Sequence, residues 1–209
     1  MKLRGLLCKV VLVGLSVLAA RPLIAGDAKS KGKGKGKAPD MEAEMKAMAK
    51  FAAPGAPHKA LESLVGSWEF TMKMWMQPKA PPMESKGTSE AKSIFDGRFI
   101  MEEASGDFMG MPFQGIGITG YDNLRKRYQN TWCDNMGTVI LVTSGTMSKN
   151  GKTLTMSGKM DDVASGKRNQ AFKMVTKIVS NDKHVSEMWA PSKQGKPYKA
   201  MELTFTRKK

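Results

Sequence analysis

Three glycines, Gly115, Gly117 and Gly120, stand in the stretch FQGIGITGYDN with the spacing G-x-G-x-x-G. Between a strand and a helix, that spacing cradles a dinucleotide pyrophosphate. Here the glycines alternate with Ile116 and Ile118, which share a face with Gln114, and Tyr121-Asp122-Asn123 predicts a turn where the helix should begin. The stretch therefore reads as a strand, in which glycine marks a bend or a close approach of another group. A sheet that coils into a small barrel needs such points. Acid–base chemistry has its own candidates. Glu102 and Glu103 are adjacent, so one of them faces inward, and Tyr121, Asp122, Asp134, Glu187 and Glu202 lie on or near predicted strands. A buried carboxylate must be paired or neutralised, and Arg98, Arg125 or Arg207 could do the pairing. A convergent pair of acids could shuttle protons, while structural ion pairs are the commoner use of such residues. MKMWM, residues 72–76, sets thioethers at alternate positions, as a soft cation such as Cu(I) prefers, and Met109 with Met111 repeats the spacing. A partner histidine is missing from that neighbourhood. Cys133 would need His58 or His184 beside it to act as a nucleophile; a lone cysteine is more often a small buried hydrophobe. We find no nucleophile elbow, no P-loop and no two-histidine metal spacing, so no cofactor and no resident metal are expected, and nothing forces an enzyme.

The elements that must hold these residues follow from patterning. Lys2 and Arg4, an apolar run from Leu6 to Ala20 broken only by Lys9, and small residues at Ala25 and Gly26 describe a secretory signal peptide over residues 1–26. The apolar run is shorter than a membrane-spanning helix requires, and we expect an exported protein, periplasmic or secreted. Residues 27–57 form a leader. Its KSKGKGKGK, Lys29 to Lys37, cannot bury apolar surface and should be a flexible spacer, with weak electrostatic contact to an anionic envelope surface as the functional alternative. Met41, Met45 and Met48 recur at helical spacing and predict a short helix that Pro54 and Pro57 end. From His58 a second short helix places Leu61, Leu64 and Val65 on one face, and Gly66 stops it. The period then changes to two: Trp68, Phe70, Met72, Met74 and Met76 point one way, Glu69, Thr71, Lys73, Trp75 and Gln77 the other. About ten strands follow one another to Arg207, punctuated by Asp96-Gly97 (a two-residue hairpin turn), Asp122-Asn123, Asn150-Gly151 and Asn181-Asp182. The fold class is all-β: an antiparallel meander closing into a barrel over residues 58–209.

The formal charge is +15; removal of Lys2, Arg4, Lys9 and Arg21 with the expected signal peptide takes four from fifteen and leaves +11. The lysines are scattered and read as a solvated positive surface rather than a nucleic-acid site. Oligomeric state is not legible.

Gly66-Ser67-Trp68 ahead of the first strand, with Arg207 at the end of the last, resembles the calycins, the superfamily of lipocalins and fatty-acid-binding proteins. The resemblance implies that Trp68 closes the barrel floor and that Arg207 packs on it as a cation–π pair. SKGTSEAKSIFDGRFIMEE, MPFQGIGITGYDN, TWCDNMGT and MELTFTRK, taken in order, are similar to the domain of unknown function 1579 family. Cys133 departs from that pattern, where an apolar residue is expected. The family implies a calycin-like barrel and no activity. On fold analogy the interior is expected to hold a small, mainly apolar ligand, with Trp68, Phe70, Met72, Met74, Tyr121 and Trp132 as walls and Glu102 or Glu187 at its polar end. The alternative is a structural, envelope-associated protein with a filled barrel and the basic tail as its contact; a carboxylate-based hydrolase or isomerase is the third reading.

Overall fold

The structure, a computed structural model, describes residues 40–162, 165–192 and 195–209; the signal peptide expected over residues 1–26 and the Lys29–Lys37 tail lie outside them. Helix α1 spans Met41–Ala52, capped by the Asp40 carboxylate, which accepts from Ala43 N at 3.2 Å. Its methionines Met41, Met45 and Met48 are exposed. Its C-terminal end is tied to the turns of the sheet: Arg98 Nε donates to Ala52 O at 3.0 Å, and Asn123 Nδ2 donates to Phe51 O at 2.7 Å and Ala53 O at 2.9 Å. A short helix α2, Ala56–Lys59, runs into a 3₁₀ turn, Ala60–Leu64, that buries Leu61.

Ten strands follow: β1 Gly66–Met74, β2 Met83–Ile94, β3 Phe99–Phe108, β4 Met111–Asp122, β5 Arg127–Asp134, β6 Leu141–Met147, β7 Thr153–Asp162, β8 Lys167–Ser180, β9 Lys183–Pro191 and β10 Pro197–Arg207. Each pairs antiparallel with the next, and β1 pairs with β10, so the meander closes and no edge is left unpaired. The register of β1 on β10, Trp68 opposite Arg207 and Phe70 opposite Phe205, brings the two ends of the barrel sequence side by side.

Period-two patterning located the strands, and two boundaries differ. The β2–β3 link is four residues long, Phe95–Arg98, with Phe95, Asp96 and Gly97 all at positive φ, rather than a two-residue Asp-Gly turn. β1 stops at Met74, so Met76 lies outside the strand and is exposed. Bulges at Lys199/Met201, Met160/Asp162 and Ile178/Ser180 take up the curvature of the sheet.

A barrel lumen closed at one end

The floor is built around Trp68, 1% exposed. Its indole Nε1 donates to Leu64 O at 3.0 Å, and the Arg207 guanidinium lies over the ring, 4.1 Å from its centroid. Arg207 also donates from Nη1 to Val65 O and from Nε to Asn181 O, both at 2.9 Å, and meets Asp182 at 3.4 Å. The glycine of the G-x-W motif has a physical reason. Gly66 sits at φ +137°, and a Cβ there would overlap the Arg207 guanidinium. The cation–π closure expected of Trp68 and Arg207 is thus what the chain forms.

Two further aromatic layers back the floor. His184 meets Trp68 edge-on at 4.5 Å and stacks on Phe205 at 4.3 Å. Burial first, and the Arg207 charge second, push its pKa down to about 4, so it sits neutral, and its Nδ1 has no hydrogen-bond partner. Beneath the sheet, Leu61 packs against Ala91, Ile100, Tyr128, Leu154 and Met156. Tyr128 donates its hydroxyl to Pro57 O at 3.0 Å, and its ring meets Tyr121 at 4.9 Å. Burial, then the neighbouring Tyr121, raises the Tyr128 pKa. The two short helical turns are therefore a plug in the floor. A depression of about 300 Å³ beside them, lined by Gly55, His58, Lys59, Glu62 and Asp96, faces outward.

Above the floor, strand parity fixes what faces the lumen. With Trp68, Phe70 and His184 inside, register carries Met72, Met74, Met83, Ser85, Ser89, Glu102, Trp132, Met188, Met201 and Leu203 to the same side. Most of these are only half-buried, so the lumen is accessible from the end opposite the plug. A cavity of about 360 Å³ opens there, lined by Met72, Met74, Met83, Ser85, Phe108 and Met109.

The three glycines of the opening motif divide by face. Gly115 and Gly117 point inward and Ile116 and Ile118 outward, where both isoleucines are exposed. A Cβ on Gly115 would overlap the Trp132 ring, and one on Gly117 would come within 2.9 Å of Trp132 Cε3. The indole thus lies flat on the bare backbone of β4. Its Nε1 donates to Asp134 Oδ2 at 2.9 Å, and Phe113 stacks on it at 6.4 Å and 15°. Gly117 is also the register partner of Glu102, which sets the carboxyl and the indole in one row across β3, β4 and β5.

Glu102 has partial access through the lumen, yet protein surrounds it at depth, and that depth governs its charge. Desolvation raises its pKa, and Ser89 beside it opposes the shift. Ser89 Oγ falls outside hydrogen-bond geometry and so offsets little; it and Ser85 Oγ have no partner. Glu102 makes no ion pair among the described residues, where the arginines expected as its partners serve the turns instead: Arg98 with Asp96, Arg125 with Asp122 and Arg207 with Asp182. β2 and β3 thus carry to the inner face the partnerless hydroxyls of Ser85 and Ser89 and a Glu102 carboxyl without an ion pair, whereas the inward Thr176 and Ser186 of β8 and β9 bond each other.

Three residues expected around the ligand, Glu187, Tyr121 and Trp68, belong elsewhere. Glu187 has the opposite parity to His184 and Met188, and points to the outer surface. There burial opposes its ionisation, but hydrogen bonds from Lys177 Nζ at 3.1 Å and Trp189 Nε1 at 3.3 Å, with the charges of Lys177 and Lys199, outweigh it and lower its pKa. Glu202 bonds Lys199 on that same face. Tyr121 packs on the plug with His58 and Tyr128, and Trp68 is sealed under Arg207, so neither lines accessible space. Phe70, Met72, Met74, Glu102 and Trp132 do gather around the lumen. Cys133 is exposed on the outer face of β5, not a buried hydrophobe, and His184 lies on the other side of the sheet. The reading missed Ser85, Ser89, Met201 and Leu203; their alternation along β2 and β10 was the available signal.

The family described as protein of unknown function (DUF1579) matches residues 53–207. Among curated proteins, none matches the chain. Among solved structures, the crystal structure of Rv2717c from M. tuberculosis is similar, with TM-score 0.54 and 15% identity over 75% of this chain and 100% of that one. At that identity the likeness speaks for the barrel fold alone.

Proposed function

This chain belongs to the DUF1579 family, and from that footing we propose that its barrel binds a small, mainly apolar molecule carrying one hydrogen-bonding end. The observation that carries this reading is the pair of hydroxyls Ser85 and Ser89, buried without partners, beside the desolvated Glu102 carboxyl on the inner face of β2 and β3. Unpaired buried polar groups are costly, and a ligand hydroxyl or amine would satisfy them. Phe70, Met72, Leu203 and Trp132 would hold its apolar body, the flexible thioethers adapting to its shape. The pattern of residues 1–26 supports export, and the Lys29–Lys37 tail would add weak contact with an anionic envelope surface.

Mass spectrometry of small molecules released from natively purified protein tests the reading. Wild type should release a reproducible set, and a folded Met72→Phe/Met74→Phe variant should not. Release of nothing from wild type, or the same set from the double variant, would refute the pocket. Should the lumen release nothing while deletion of residues 29–37 abolishes salt-sensitive binding to anionic vesicles, the tethering role replaces it.

A further inference from the structure

The closed register exposes a pattern that no single strand contains. Met83 on β2 pairs with Met74 on β1, Met74 with Met201 on β10, Met201 with Met188 on β9, Met188 with Met174 on β8, and Met174 with Met156 on β7. Six methionines, one on each of six adjacent strands, form an unbroken row around the lumen wall. The row descends from the open mouth to Met156, which is buried against the plug.

At its upper end the row changes character. Met74 and Met83 line the 360 Å³ mouth cavity together with Met72 and Met109, and Met201 is the direct neighbour of Met74. Directly paired residues on antiparallel strands hold their Cβ atoms roughly 4.5–5.5 Å apart. The sulfur lies two bonds beyond Cβ on a chain with three rotatable bonds. Met83, Met74 and Met201 can therefore turn three sulfurs to one point in front of Met74, with Met109 on the mouth side and Met72 on the floor side of that point.

The geometry points to a binding site for a soft monovalent d¹⁰ cation, Cu(I) or Ag(I), at the barrel mouth, with Met74, Met83 and Met201 as a three-thioether set. Thioethers select such ions over zinc, magnesium or calcium. Among the described residues no three His, Cys, Asp or Glu side chains gather to hold a harder ion. At the rim of the same cavity Glu84 is neutralised by Lys73 at 3.3 Å, which leaves Asp107 as the acid there without an ion pair among the described residues. Neutral sulfur ligands have no proton to lose, so capture should persist at acid pH, where sites made of His or Cys fail. The two readings share Met74, and leucine distinguishes them, since it keeps an apolar wall and removes only the sulfur.

The test is titration of the full chain with Ag(I), its thiols first alkylated, followed by ¹³C-methyl methionine NMR. One equivalent should shift a few lumen methyl signals, those lost in single Met74→Leu, Met83→Leu and Met201→Leu variants, equally at pH 7 and pH 4.5. The triple leucine variant should bind at least about tenfold more weakly, and Met74→Leu alone should show the same direction should the triple variant not fold. Shifts spread over the exposed Met41, Met45 and Met48 with the lumen signals unmoved, binding by a folded triple variant equal to wild type, or binding lost at pH 4.5 by protein still folded there would each overturn the assignment.

Discussion

His184 makes the floor of the barrel sensitive to acid, by an amount that the structure sets. It is held between Trp68 and Phe205, beside the Arg207 guanidinium, with its Nδ1 unpaired. Its folded pKa is pushed down to about 4 from an ordinary 6.5. Between those values the unfolded chain binds a proton that the folded chain refuses, so stability is intact above pH 6.5 and falls as pH drops towards 4. At 1.36 kcal/mol per unit, the loss from this one group is about 3 kcal/mol. His184→Phe keeps a ring between Trp68 and Phe205 and has nothing to protonate. Urea denaturation of both proteins at pH 7 and pH 4 gives the test. Carboxylates held low, such as Asp122 and Glu187, lose stability over the same range in both proteins and cancel in the difference. Wild type should lose about 3 kcal/mol more than the variant between the two pH values. Equal losses would mean that the imidazole accepts its proton in place, and the account of a sealed aromatic floor would be wrong.

Arg207→Met should lower stability by about 2–4 kcal/mol, since it removes a cation–π contact and leaves Val65 O and Asn181 O without their donor. Calorimetry should show a fall in Tm of about 5–15 °C, and the His184 pKa, followed by NMR, should rise as the neighbouring charge goes; a Tm change under about 2 °C would contradict the closure. Gly117→Ala should cost about 1–3 kcal/mol by pushing the Trp132 ring off β4. In a Trp132→Leu background the same change should cost well under about 1 kcal/mol, and equal costs in both backgrounds would show that the glycine serves the strand rather than the indole.

Parity is legible along a strand whose two faces differ, and Trp68-Phe70-Met72-Met74 against Glu69-Thr71-Lys73 differ enough to show which side is buried. It fails where they do not. On β4 hydrophobicity alone favours Ile116 and Ile118 as the inner face, yet the glycines are inside, because the space their missing side chains leave is filled by Trp132 from the next strand. On β9 both faces are mixed, His184, Ser186 and Met188 against Val185, Glu187 and Trp189, and an acid between two apolar residues gives no direction; pairing with Lys177 and Lys199 draws Glu187 outward. The same limit hides the methionine row. Its members stand alone in six strands, and they align only through a register that includes the bulge between Lys199 and Met201. Displacing that bulge by one residue would turn Met201 to the outer face and leave Met74 with one thioether neighbour instead of two. Closure and strand order follow from local patterning, whereas the chemistry of the lumen depends on pairings between strands distant in sequence. Both the partnerless hydroxyls beside Glu102 and the row of sulfurs arise at that second level.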